Sequence, residues 1–186
     1  MNSKSLNIRD NYSKIIFITG GTKSGKSEFA EHLAKKEKKL SYVALSENNL
    51  DDKEWQEKIN LHIKRRPKNW KLIETTDLLD TLIKEDGPLL IDSIGGFVME
   101  SIGKENNEWT KKMHSLISIL KKRNSITIIV GEQVGWSLVS EYKIGNKYIE
   151  RIGDLQKKIT KISRDNWLAL NGRAIKIDEI SLEIPT

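Results

Sequence analysis

Cysteine is absent from the 186 residues. That absence excludes disulfides, thiolate zinc sites and thiol nucleophiles together, and it makes a reducing compartment the expected home. No run of about 18 apolar residues occurs, so no transmembrane helix is expected. Residues 1–13 are polar and lack the apolar core of a secretory signal; they read as a disordered lead-in to the first strand. Internal repeats, low-complexity tracts and linkers are missing too. A soluble, cytoplasmic chain is therefore expected, with one domain over residues 14–180.

What is present is mostly charge. Charged residues make up 31%, and 32 Lys+Arg against 26 Asp+Glu leave a net +6. A basic balance suits nucleic acid or an anionic ligand. Here the surplus reads as scattered lysine, and no basic block reaches the length of a nucleic-acid tail, so no nucleic-acid partner is expected.

Short apolar runs alternate with helical lengths. Strands are expected at 14–19 (K-I-I-F-I-T), 40–45, 70–74, 89–92 (L-L-I-D) and 126–130, the last being the most β-branched and therefore central. Helices are expected at 24–38, 51–65, 77–84, 108–122 and 146–164, and a glycine-bearing loop at 131–137. Strands at 167–170 and 174–177, joined by Asn171-Gly172, read as a closing hairpin. The pattern predicts a single P-loop NTPase-like α/β domain: a mostly parallel sheet flanked by helices, with a C-terminal hairpin.

Gly20-Gly21-Thr22-Lys23-Ser24-Gly25-Lys26-Ser27 satisfies G-x-x-x-x-G-K-[ST] between an expected strand and an expected helix. Glycines let the backbone curl its N–H groups toward phosphate oxygens, and the following helix N-terminus adds positive potential. Lys26 is placed to reach the outer phosphates, and the Ser27 hydroxyl to ligate Mg²⁺. The chain is therefore expected to bind a nucleoside triphosphate with Mg²⁺. Asp92, closing L-L-I-D, is the candidate carboxylate for the hydrated metal; a helix N-cap is its alternative role.

Small GTPases read guanine with N-K-x-D, whereas Asn146-Lys147-Tyr148-Ile149 offers isoleucine in place of the aspartate. A small-molecule kinase or a nucleotidyl transferase is left. His62 follows Ile59 by three residues and Trp55 by seven, so it borders the apolar face of its expected helix, with Lys64, Arg65 and Arg66 next to it. Neutral imidazole can attack phosphorus, and nearby cations would stabilise the developing charge. An ordinary surface histidine is the competing reading of the same residues.

The P-loop string T-G-G-T-K-S-G-K-S, the strand Y-V-A-L-S and then H-I-K-R-R-P-K-N-W resemble the bifunctional adenosylcobinamide kinase/adenosylcobinamide-phosphate guanylyltransferase family. Its pattern of G-G-x-x-S-G-K-S, Y-x-A-T and H-x-x-x-R-P-x-x-W, with a glutamate four residues later, falls on Gly20–Ser27, Tyr42–Leu45, His62 with Arg66, Pro67 and Trp70, and Glu74. The resemblance runs on through L-L-I-D-S and V-G-W-S-L-V-S-E-Y and covers about residues 14–178. It implies GTP and ATP as substrates, adenosylcobinamide and its phosphate as acceptors, and a homotrimer. It also implies that His62 carries GMP, that Ala44, Leu45, Ser46, Ile63, Lys64, Arg65 and Arg66 line the GTP site, and that Glu74 and Asp92 meet nucleotide or metal.

Departures from that pattern cluster late in the chain. Gln133 stands where a glutamate is usual, Asn146 and Ile149 fall where two arginines are usual, and Ser140 replaces a proline. Leu45 takes the place of a threonine. Two other readings stay open on the sequence: a P-loop kinase of another small hydroxylated metabolite, and a nucleotide-binding regulatory module that has lost one half-activity.

Overall fold

The computed structural model describes residues 13–45, 67–136 and 140–184. Seven strands form one sheet: β1 (Ile15–Gly20), β2 (Ser41–Ala44), β3 (Lys71–Glu74), β4 (Leu89–Ile91), β5 (Thr127–Glu132), β6 (Asp165–Leu170) and β7 (Arg173–Lys176). Their order is β3-β2-β4-β5-β1-β6-β7. The first six strands pair in parallel and only β7 is antiparallel, as the sequence pattern predicts. The β-branched run of β5 sits fourth of the seven strands, at the middle of the sheet.

The helices are α1 (Lys26–Ala34), α2 (Leu78–Lys84), α3 (Gly95–Glu100), α4 (Asn106–Lys122), α5 (Lys143–Ile162) and the single turn α6 (Ile177–Ile180). They cover both faces, which is why the central strands read as continuous apolar runs instead of alternating ones. On one face Ile15, Phe17, Ile91 and Ile129 pack with Leu116 and Leu120 of α4 and Leu155 and Ile159 of α5. On the other, Ile16, Ile18, Leu90, Ile128 and Val130 pack with Ala30 and Ala34 of α1. The small alanines let α1 lie close to β1, and so bring the turn between them under tight control.

Several boundaries differ from the sequence expectation, each for a local reason. Helix α1 starts at Lys26 and not at residue 24, because Gly25 has φ 92°, outside the helical region. Strand β5 runs through Gly131 and Glu132, expected as loop, because pairing with β1 continues to Gly20↔Glu132. Helix α5 begins three residues early at Lys143, and Ile177, expected in the hairpin, opens α6. Helix α3 is foreshadowed only by the alternative role of Asp92 as a helix N-cap, since it opens on Gly95-Gly96, poor helix formers. The helix expected at 51–65 lies outside the described residues.

Candidate nucleotide site

The parallel strands end on one edge of the sheet, and β1 delivers the glycine-rich turn there. A side chain at Gly20 would put its Cβ 2.4 Å from the Ala169 carbonyl oxygen and 2.5 Å from Ser24 Oγ, so the turn closes only around glycine. Lys23 (φ 56°) and Gly25 (φ 92°) are both left-handed, which curls the loop back on itself. The hairpin turn braces it from outside, since Gly172 N–H donates to the Ser24 carbonyl at 3.0 Å. Asn171 (φ 49°) and Gly172 (φ 75°) supply the two left-handed residues of that turn.

Lys26, on the first turn of α1, folds back over the loop and donates to the Gly21 carbonyl at 3.1 Å. The Ser27 hydroxyl donates to Asp92 Oδ1 at 3.2 Å, and the Tyr42 hydroxyl from β2 donates to Asp92 Oδ2 at 2.7 Å. Asp92 is thus tied to the P-loop serine. It is not the cap of α3: Ile94 holds that position and no side chain caps it.

Ser27 and Asp92 fit Mg²⁺ by the chemistry of their donors. Both offer hard oxygens, and Mg²⁺ keeps several waters while taking only one or two protein oxygens. Among the described residues no group of three or more His, Asp or Glu could cage a metal. Asp92→Asn keeps the shape and removes the charge. It is expected to lower Mg²⁺-dependent turnover about tenfold or more while Mg²⁺-free nucleotide binding changes little. Calorimetry with and without the metal, set beside turnover, checks this; equal losses would make Asp92 a structural residue.

Glu132 completes this edge. Its carboxylate accepts from the Ser93 hydroxyl, and its Oε2 is buried with no hydrogen-bond partner among the described residues. A Cβ at Gly95 would fall 2.8 Å from both carboxylate oxygens and 2.3 Å from the Tyr148 hydroxyl, so Gly95 is the gap they share. Burial pushes the Glu132 carboxyl up to about 7. Its backbone bonds and the Lys26 ammonium pull the other way, while the Asp92 carboxylate adds to the rise. Tyr148 is also held above its ordinary range, by burial first and then by Glu132.

The stability consequence has a definite sign. A folded pKa above the ordinary 4.5 means that the contribution of Glu132 is present below 4.5 and lost as pH rises through about 7. Glu132→Gln still accepts from Ser93 but cannot ionise. It is expected to match wild type near about pH 4 and to exceed it by about 2–3 kcal/mol near about pH 8. Urea midpoints at the two pH values measure the gap; no gap at the higher pH would place the carboxylate in water.

The sequence-predicted residues are only partly gathered. Gly20–Ser27 and Asp92 come together. Ala44 ends β2 and Leu45 follows it, where a Cβ on Gly96 would lie 2.1 Å from the Leu45 carbonyl oxygen. Glu74 ends β3 in register with Ala44, four strands from β1 and about 19 Å across the sheet. It lines a cavity of about 450 Å³ with Lys71, Leu72, Ile73, Thr75 and Thr81. His62, with Ser46, Ile63, Lys64, Arg65 and Arg66, lies outside the described residues.

The departing residues are bonded to their surroundings. Gln133 donates to Thr19 Oγ1 at 3.0 Å and to Gln156 Oε1 at 3.2 Å, and Gln156 donates back to the Glu132 carbonyl at 2.8 Å. Asn146 donates to the Ser140 carbonyl at 2.9 Å. Ile149 lies 3.5 Å from the Cβ position of Gly135. An amide at 133 suits this network, because its NH₂ donates to both Thr19 Oγ1 and Gln156 Oε1, and an ionised carboxylate there could only accept.

Glu132, Ser93, Tyr148 and Gln156 were missed as a group. The available signal was a carboxylate two residues beyond the most β-branched run.

Comparison with known proteins matches residues 16–177 to the family described as cobinamide kinase / cobinamide phosphate guanyltransferase. The bifunctional adenosylcobalamin biosynthesis protein CobU of Escherichia coli K12 is 27% identical over 181 residues, covering 88% of this chain and 99% of that protein. Its namesake from Salmonella typhimurium LT2 is 28% identical over the same coverage. A solved Pyrococcus horikoshii OT3 protein shares the fold at a TM-score of 0.51 and 7% identity, covering 92% of this chain and 91% of that one.

Proposed function

The chain belongs to the cobinamide kinase / cobinamide phosphate guanyltransferase family, a group of P-loop transferases of cobalamin biosynthesis, and we propose that it performs both reactions of that name. The observation that carries the reading is the Ser27–Asp92 contact at the end of a P-loop whose lysine, glycines and serine are all retained.

In the kinase step the P-loop N–H groups and Lys26 hold the triphosphate, so the γ-phosphorus faces the acceptor. The hydroxyl oxygen of adenosylcobinamide bonds to the γ-phosphorus of ATP or GTP, the bond to the β-bridging oxygen breaks, and the hydroxyl proton is released. Ser27 and Asp92 would hold Mg²⁺, which when bound neutralises charge on the phosphate oxygens.

In the second step the His62 imidazole attacks the α-phosphorus of GTP and pyrophosphate leaves. A phosphate oxygen of adenosylcobinamide phosphate then displaces histidine from the GMP, giving adenosylcobinamide-GDP. His62 takes this role from its match to the family motif, with Arg66 and Pro67 at the matching spacing. Assembly as a homotrimer belongs to the same reading.

Incubation with α-labelled GTP tests it. Label that survives denaturation on the protein and passes to adenosylcobinamide phosphate is the expected result. Phosphorylation of adenosylcobinamide without any protein label would leave a kinase alone.

A further inference from the structure

Lysines that look scattered in the sequence gather at the base of the sheet, the edge opposite the P-loop. Lys14 precedes β1, Lys38 and Lys39 precede β2, Lys68 lies before β3, and Lys121 and Lys122 close α4. All six are exposed. Backbone and side-chain bonds stitch these points into one face: Thr127 N–H donates to the Lys14 carbonyl, Asn69 to the Lys38 carbonyl, and Lys71 N–H to the Leu40 carbonyl. From β3 to β1 that face is about 19 Å wide.

These six form no ion pair among the described residues, whereas Lys71, Lys84, Lys104, Lys112, Lys157 and Lys176 each pair with a carboxylate. The free acids at the base are few. Glu85 is taken by Lys71, Asp165 by Arg164 and Lys176, Glu179 by Lys176 and Asp178 by Asn166, which leaves Glu37 and Asp86. Complementing helix dipoles accounts for Lys121 and Lys122 at the end of α4. It does not account for Lys14, Lys38, Lys39 and Lys68, which stand outside helices.

We propose that this basic base is a docking surface for a bilayer carrying anionic phospholipid. Its free charges are all lysines, compact point charges that need no fixed partner geometry and so suit mobile lipid phosphates. The arginines there are committed elsewhere: Arg123 donates to the carbonyls of Leu82, Glu85 and Gly87, and Arg164 pairs with Asp165. Nucleic-acid readers add free arginines, stacking aromatics or helix N-termini to their phosphate-binding lysines. The exposed aromatics among the described residues, Trp136 and Tyr142, follow β5 and precede α5 at the opposite edge. Helices α4 and α5 reach the base by their C-termini, and the one helix among the described residues that opens there, the single turn α6, carries Asp178 and Glu179 in its first turn. Docked this way, the protein keeps its P-loop edge turned to solvent.

Co-sedimentation tests the surface, using vesicles of phosphatidylcholine with about one quarter phosphatidylglycerol and vesicles of phosphatidylcholine alone. The full chain is expected to bind the first at about 0.1 M salt, to leave them at about 0.5 M, and to ignore the second. The variant K38E/K39E/K121E/K122E is expected to bind about a hundredfold more weakly, while Lys111→Glu, on the exposed side of α4, is not. Equal binding to both vesicles overturns the proposal, as does failure to bind the anionic ones. Capture of a duplex oligonucleotide in place of vesicles would reassign the face to nucleic acid. The wild-type comparison decides the matter even if the fourfold variant misfolds.

Discussion

His62→Ala is expected to erase the GMP label entirely while GTP binding at the P-loop persists. A guanylyl group held by imidazole is a phosphoramidate, so the wild-type label should survive alkali and hydroxylamine and be lost in acid. The substitution should leave phosphorylation of adenosylcobinamide largely intact, because γ-transfer needs Lys26, the metal and an acceptor hydroxyl but no covalent enzyme intermediate. The two half-reactions should therefore separate in one variant. Accumulation of acid-labile GMP-protein at the wild-type rate in His62→Ala would refute the mechanism, wherever the imidazole sits in any one conformation.

Lys26→Ala should strike both reactions at once. The ammonium is the P-loop cation on α1, 3.1 Å from the Gly21 carbonyl and poised over the turn that would hold the outer phosphates. Losing a charge-assisted contact of about 2–3 kcal/mol predicts triphosphate affinity about 30- to 150-fold weaker. The same change removes a cation that holds the Glu132 carboxyl down, so its pKa should climb further. Titration calorimetry with GTP checks the first effect; unchanged affinity would sink the P-loop assignment. A pH titration of Glu132 in the two proteins checks the second.

The nucleotide turn was legible because its determinants are local. Eight consecutive residues, a strand before and a helix after them fix where the N–H groups point, with Gly20 answering a close approach and Gly25 a left-handed backbone. The closing hairpin was legible for the same reason, since two left-handed residues at Asn171-Gly172 specify the turn. Asp92 could be picked from the end of its strand. Whether it capped a helix or met Ser27 could not, because that choice depends on how β4 stands relative to α1.

The sequence by itself determined the family, the parallel α/β order and the phosphate cradle. All three rest on motif spacing and hydrophobic period, which act over short stretches of chain. Only the tertiary structure decided the surroundings of Glu132. That carboxyl is flanked by Ser93, 39 residues away in sequence, and its strand is bonded to Gln156, which also joins Thr19 across 137 residues. The gathering of unpaired lysines at the base was decided the same way. A parallel sheet sends each strand start and many helix ends to one edge, so charges far apart in the chain become neighbours in space.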